Sequence, residues 1–261
     1  MIKAMWKYRK IIFQRAYHDL ATRYAGSNLG IIWNLINPLV QILIFTFVFS
    51  EIMLAKMPGM ESKSAFAMYL CSGLLPWMAF SEGITRANNA LLENATYLKK
   101  LPTPETVFVA QVITSSYLAG GISLTVLFII NIILGGNISP TWLAVPIIFT
   151  VLMVFGLGLG LVFSTLNVFF KDIGQVLGIL LQVWMWVTPI VYAKEILPQK
   201  YLRIVELNPL YWFIEPLQGA IVYGKWPGLQ NWGLMLLFAT IAVLAGTLVL
   251  TKLQAEIRDV I

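Results

Sequence analysis

The sequence predicts an all-α membrane protein with six transmembrane helices, an N-terminal interfacial amphipathic helix, and re-entrant helices between the fifth and sixth spans. Three observations lead there. The run 106–170 contains no Asp, Glu, Lys, Arg or His, which is long enough for two bilayer spans of ~20 residues each and the turn between them. The 261 residues are 59% hydrophobic and only 11% charged, where a soluble domain is roughly a quarter charged. Four further charge-free windows, 24–50, 64–81, 173–193 and 226–251, are each about one span long. A soluble core also excludes charge, but its chain returns to water every few residues and this one does not.

Before the first span, Lys3, Lys7, Lys10 and Gln14 recur at helical spacing, while Ile2, Met5, Trp6, Ile12, Phe13, Ala16 and Leu20 fall largely on the opposite side. Residues 1–23 therefore predict an amphipathic helix lying on the cytoplasmic leaflet. They have no compact apolar stretch and no small-residue cleavage site, so they do not read as a signal peptide. The spans are predicted at 30–50, 65–82, 106–134, 142–166, 173–192 and 232–250, each the apolar part of a charge-free window. The longest window divides where Gly135, Gly136, Asn137, Ser139 and Pro140 supply turn residues.

Residues 82–105 form the cytoplasmic connection between the second and third spans. Ile84, Ala87, Leu91, Ala95 and Leu98 recur there at three- and four-residue steps before Lys99, Lys100, Pro102 and Pro104. That pattern predicts a short amphipathic helix, suited to a cytosolic partner or to the membrane surface. Residues 194–227 are too polar to span, yet apolar patches at 207–214 and 217–223 flank Glu215 and Pro216. A re-entrant pair of helices fits, because backbone dipping into a bilayer needs protein or a wet cavity to satisfy it. A folded external cap is the other reading. The whole chain, 1–261, reads as one transmembrane domain.

With both termini in the cytoplasm, Lys3, Lys7, Arg9, Lys10, Arg15, Arg23, Arg86, Lys99, Lys100, Lys171, Lys252 and Arg258 face inward. Lys56, Lys63, Lys194, Lys200, Arg203 and Lys225 face outward. The inner set is twice the outer and half of it precedes the first span, which orients the chain by the positive-inside rule. That distribution explains the net charge of +6 without nucleic acid as a partner.

Catalytic chemistry finds little support. Cys71 and His18 are each the sole residue of their type, so neither an internal disulfide nor a metal site is predicted. GxSxG, HExxH and CxxC do not occur, and the outer acids Glu195, Glu206 and Glu215 lack a matching His. No span carries a charge at its middle, which argues against ion-coupled transport, where the ion needs an ionisable partner inside the bilayer. Gly224 and Lys225 are followed by Trp226 where a phosphate loop requires Ser or Thr. If ATP drives this chain, another subunit binds it. Gly156, Gly158, Gly160, Gly174 and Gly178 predict close helix approach within one subunit. Aromatic residues gathered at outer span ends read as interfacial anchors, with a subset able to face a cavity and stack on sugar rings.

Asp19, Leu20, Arg23, Tyr24, Ser27, Leu29, Gly30, Trp33 and Pro38 resemble the opening of the membrane subunits of ABC exporters for polysaccharides. So do Ser72, Gly73, Leu74, Pro76 and Trp77, the stretch LNVFFKD at 166–172, TPIVY at 188–192, and Asn208 with Pro209. Each motif is short, but their ordered combination covers nearly the whole chain. It is most similar to permeases that export lipid-linked O-antigen, with teichoic acid and capsule permeases more distant. The resemblance implies a second copy of the chain, two nucleotide-binding ATPase subunits that hold ATP and Mg, and no cofactor in this chain. It also implies the bacterial inner membrane and an undecaprenyl-linked glycan as cargo. By position it implies ATPase coupling through Ile84, Ala87, Leu91, Ala95 and Leu98, with Lys171 and Asp172 at the second cytoplasmic turn. Arg15 and Arg23 become candidates for the lipid diphosphate, and Trp77, Trp184, Trp186 and Tyr192 for the glycan path. The competing readings are an ABC exporter of another lipid or a drug, and an ion-coupled carrier acting alone.

Overall fold

The computed structural model describes residues 2–53, 64–100, 102–136 and 138–260. Lys56, Lys63 and the Asn137 turn lie outside the described residues. Among those described, every regular element is helical: α1 (Ile2–Thr22), α2 (Trp33–Phe47), α3 (Ala65–Glu93), α4 (Ala95–Lys100), α5 (Glu105–Ile133), α6 (Ala144–Phe169), α7 (Ile173–Val187), α8 (Gln199–Glu206), α9 (Tyr211–Val222) and α10 (Leu229–Val260). A wider turn, Val48–Ile52, extends α2.

Helices α2, α3, α5, α6, α7 and α10 run between two ends of one bundle. At one end lie α1, α4, the start of α5 and the last turns of α3, α6 and α10. Asn34 at the head of α2 meets the Leu20 carbonyl there, Asn167 of α6 meets Asn88 of α3, and Gln254 of α10 meets Glu105 of α5. At the other end lie α8, α9 and the turn residues 134–136 and 138–143. Phe80, Ile84, Leu91, Phe108, Leu127, Ile148, Leu152 and Leu161 are completely buried and fill the space between α3, α5 and α6.

Helix α1 folds as predicted and packs lengthwise on α5. Ile12, Ala16 and Leu20, one stripe at four-residue steps, are buried, while Trp6, Phe13 and Tyr17 stay exposed. An apolar pattern on two sides of a helix suits one that rests on protein and lipid at once.

Among the described residues, four stretches are long and apolar enough to cross a bilayer unaided: Gly30–Ile52, Glu105–Ile133, Pro140–Phe169 and Leu229–Ile257. Helix α3 has the length, but Tyr69, Ser72, Trp77 and Ser81 dilute it and its last turns are polar. Helix α7 has 15 residues, about 22 Å at 1.5 Å per residue, short of the ~30 Å hydrocarbon core.

Three expected boundaries are corrected. Helix α3 does not stop at Glu82, because no proline interrupts the segment before Asn94, and residues 82–93 belong to it. Helix α7 stops at Val187, not Tyr192: Pro189 brings no N–H, and the residue before it, Thr188, is extended at φ −90° and ψ 133°. In the segment 194–227 the break falls at Leu207–Leu210, and Glu215 and Pro216 lie inside α9. 

The glycines of α6 serve two neighbours. Gly156 and Gly160 admit Phe80 and Ala87 of α3, while Gly158 faces the backbone of α10 at Ala242 and Val243. Gly246 of α10 returns the contact against the Gly158 carbonyl. Two helix backbones touch here with no side chain between them, all within one chain.

Candidate functional site

Asp19 and Arg23 stand four residues apart at the end of α1, and Glu82 and Arg86 repeat that spacing on α3. The fold brings the pairs together. Arg86 Nη2 donates to both Asp19 oxygens at 2.7 and 2.8 Å, and Arg23 Nη1 lies 2.7 Å from Glu82 Oε1. Ser115 of α5 links them, donating to Asp19 and accepting from Arg23 at 3.0 Å. Burial pushes the Asp19 carboxyl up, but the Arg86 and Ser115 hydrogen bonds and the charges of Arg86 and Arg23 outweigh it and hold it below the usual carboxylate value. Burial lowers Arg23, with Glu82 opposing, and a guanidinium stays cationic throughout.

Two carboxylates and two guanidiniums cancel, so this quartet offers no uncompensated charge for a transported ion. Its physical effect is to tie α1 to α3 and α5. Ser115 lies ten residues into α5, about 15 Å from Glu105 at 1.5 Å per residue, so charge reaches further along the bundle than the sequence suggested. The signal that would have exposed the quartet is the repeated acid-to-base spacing, which marks both helices as partners for opposite charge.

A polar knot also ties α3 to α6 at this end. Asn167 Nδ2 donates to the Asn88 carbonyl at 3.0 Å and to Asn89 Oδ1 at 3.1 Å. Glu105, 1% exposed, accepts from Gln254 at 2.9 Å. 

At the opposite end, the broken tip of α7 is stitched to its neighbours. Asn208 Oδ1 accepts from Trp184 Nε1 at 2.6 Å and from the Leu210 N–H at 3.0 Å, and Asn208 Nδ2 donates to Thr188 Oγ1 at 2.8 Å. The Pro189 carbonyl, freed from the helix, accepts from the Tyr69 hydroxyl and from Gln218. Around Trp184, the rings of Trp77, Phe80 and Phe155 pack edge-on at 6.1–6.4 Å.

The candidate residues fall in different surroundings. Ile84, Ala87, Leu91 and Leu98 are buried inside the chain, so they form core, not a face open to an ATPase. The same stripe periodicity serves either purpose. Ala95 is half-buried, and Lys171 and Asp172 are exposed at the turn between α6 and α7. Arg15 is held between the rings of Tyr97 and Phe108, at 5.7 and 5.6 Å, and Arg23 belongs to the quartet. Both guanidiniums are engaged within the chain. Trp77 is 4% exposed and so lines no open path in this conformation, while Trp184 packs on it and, half-buried, also borders an open apolar groove with Ile179, Val183 and Val187. Trp186 is exposed on α7, and the half-buried Tyr192 donates its hydroxyl to the Trp186 carbonyl at 3.1 Å.

Apolar helices crossing end to end, with polar groups knotted at both ends, define a multi-pass helical membrane protein. Residues 10–222 match the family described as ABC-2 type transporter, and the chain belongs to that family. It is 30% identical over 193 residues to the O-antigen export system permease protein RfbA of Klebsiella pneumoniae, covering 74% of this chain and 72% of that one. Against the protein of the same name from Myxococcus xanthus, identity is 26% over 227 residues, with 85% and 84% covered. Against the polysialic acid transport protein KpsM of Escherichia coli it is 22% over 228 residues, with 86% of each covered. Membership implies ABC ATPase subunits as partners.

Proposed function

We propose that this chain is the permease subunit of an ATP-driven exporter that moves a lipid-linked polysaccharide of the O-antigen type across the bacterial inner membrane. The similarity to O-antigen export permeases over most of the chain carries the reading. In this scheme six spans cross the membrane, both termini are cytoplasmic, and α8 and α9 form the re-entrant outer segment. Two partner ATPase subunits bind ATP and Mg, and this chain supplies the passage.

The interior of one copy is filled by side chains, so a polymer passes between two copies. The exposed apolar faces of α2 and α7, including Leu43, Phe47, Ile179 and Val183, support that arrangement. With the stripe of 84–98 turned inward, the ATPase meets the opposite face. Asn89, Glu93, Tyr97, Lys99 and Lys100 are exposed there, beside Lys171 and Asp172 at the next turn. The quartet makes α1 move with α3, so a push on α4 also shifts the helix at the headgroup level. Lys7 and Lys10 of α1 are exposed and suit the undecaprenyl diphosphate.

Deleting the gene tests the reading. Lipid-linked polymer should accumulate inside the cell while its synthesis continues. A polymer missing both inside and out would assign the chain to synthesis instead, and transport by the isolated chain driven by an ion gradient would make it a carrier.

A further inference from the structure

We propose that the cleft on the α9 end of the bundle binds an oligosaccharide segment of the exported polymer; this deepens the export reading and rests on it. Two cavities lie there. One, of about 190 Å³, lies between α3, α9 and the start of α10; the other, of about 540 Å³, lies against Gly135, Gly136, Ser139 and Pro140. Tyr223 walls both, so they lie side by side on this end and together offer more room than a single small molecule needs.

The chemistry of the first cavity selects the ligand class. Glu215 sits in its wall with both oxygens fixed, Oε1 by Lys194 and Oε2 by Asn231 Nδ2 at 3.1 Å. The carboxylate is neutralised by Lys194, so a ligand cation gains little, yet its oxygens have lone pairs left for hydroxyl donors. Tyr69 and Tyr223 stand edge-on at 6.5 Å, and Trp226, 59% exposed, adds an indole face. Lys225 lies 5.4 Å from the Tyr223 ring centre and supplies donors for ligand oxygens. Flat aromatic faces beside fixed donors and acceptors suit a sugar ring, which has an apolar C–H face and a hydroxyl rim. The second cavity continues with Asn131 and Ser139, polar groups without charge.

The place in the fold suits the role. Tyr69, in the first turns of α3, is thirteen residues from Glu82, about 20 Å at 1.5 Å per residue, so the cleft and the quartet occupy opposite ends. With both termini cytoplasmic, the cleft opens on the outer face, where emerging polymer would be held against slipping back.

The test uses the intact permease–ATPase complex and, as probe, the producing bacterium's own surface polysaccharide freed of lipid by mild acid, with dextran of matched size as a second probe. Saturation-transfer NMR should show the probe bound. Trp226→Ala should weaken binding at least tenfold with thermal unfolding unchanged, and Trp226→Phe should restore most of it. No binding by the wild-type complex, or equal binding by Trp226→Ala, overturns the proposal. If the deletion strain still accumulates polymer inside the cell, the export reading survives that failure; if it does not, the export reading has failed separately.

Discussion

Replacing Gly158 by Ala is the sharpest probe of how the spans are assembled. An added Cβ would stand 2.3 Å from the Ala242 carbonyl carbon and 2.5 Å from the Val243 nitrogen, where ordinary contact begins at 3.4 Å. Both obstacles are backbone, so no side chain can swing aside, and α10 must retreat by about 1 Å. A gap of that size forfeits up to half of each contact's well; roughly thirty atom pairs at ~0.15 kcal/mol each lose about 2 kcal/mol. That agrees with the ~1–3 kcal/mol usual for overpacking. The assay is thermal or denaturant unfolding of the purified chain in detergent, followed by tryptophan fluorescence. Gly121→Ala is the control, since nothing lies within 4 Å of its Cβ position, and helix propensity alone should add roughly 0.5–1 kcal/mol. Gly246→Ala meets the Gly158 carbonyl at 2.4 Å and should cost as much as Gly158→Ala. The double variant should cost less than the sum, because α10 has already withdrawn. A Gly158→Ala protein as stable as wild type, with additive behaviour at Gly246, would refute backbone contact between α6 and α10.

Other outcomes follow from the polar knots. Arg86→Ala should cost roughly 1–2 kcal/mol, a charged hydrogen bond discounted for partial exposure, and raise hydrogen exchange in α1 more than in α6; uniform exchange would deny that the quartet holds α1. The Asp19 carboxyl is held below its unfolded value, so its contribution is complete above the ordinary Asp pKa and is lost as pH falls through the lowered folded value. A fluorophore pair on α1 and α5 should therefore separate only in acid, and Asp19→Asn should flatten the pH response; separation near neutral pH would contradict the assignment. Trp184→Phe removes the indole donor from Asn208, whose Oδ1 keeps the Leu210 N–H, and should destabilise by about 0.5–1.5 kcal/mol, loosening the 188–192 tip first in hydrogen exchange. For coupling, Lys171→Glu with Asp172→Lys should reduce ATPase association, while Leu91→Ala should reduce stability; the reverse pattern would return the buried stripe to the partner interface.

Much was legible from the linear order. Helix α1 follows from basic and apolar residues at helical spacing, and α5 and α6 follow from one charge-free run divided by turn residues. The end of α7 was also written in Thr188 and Pro189, although charge-counting carried the expected span past it to Tyr192. The candidate site was much less legible. The stripe Ile84, Ala87, Leu91 and Leu98 states that one face of α3 and α4 is apolar, but not what covers it.

The sequence by itself determined that the chain is helical, lies in a membrane and is bordered by basic residues, because hydropathy, charge bias and helix periodicity act over one or two turns. Only the tertiary structure decided which apolar faces meet and which charges cancel. Ser115 and Asp19 lie 96 residues apart in the chain, and Gly158 meets Gly246 across three intervening helices. Such contacts depend on the crossing of separate helices, a property that no local stretch of sequence contains.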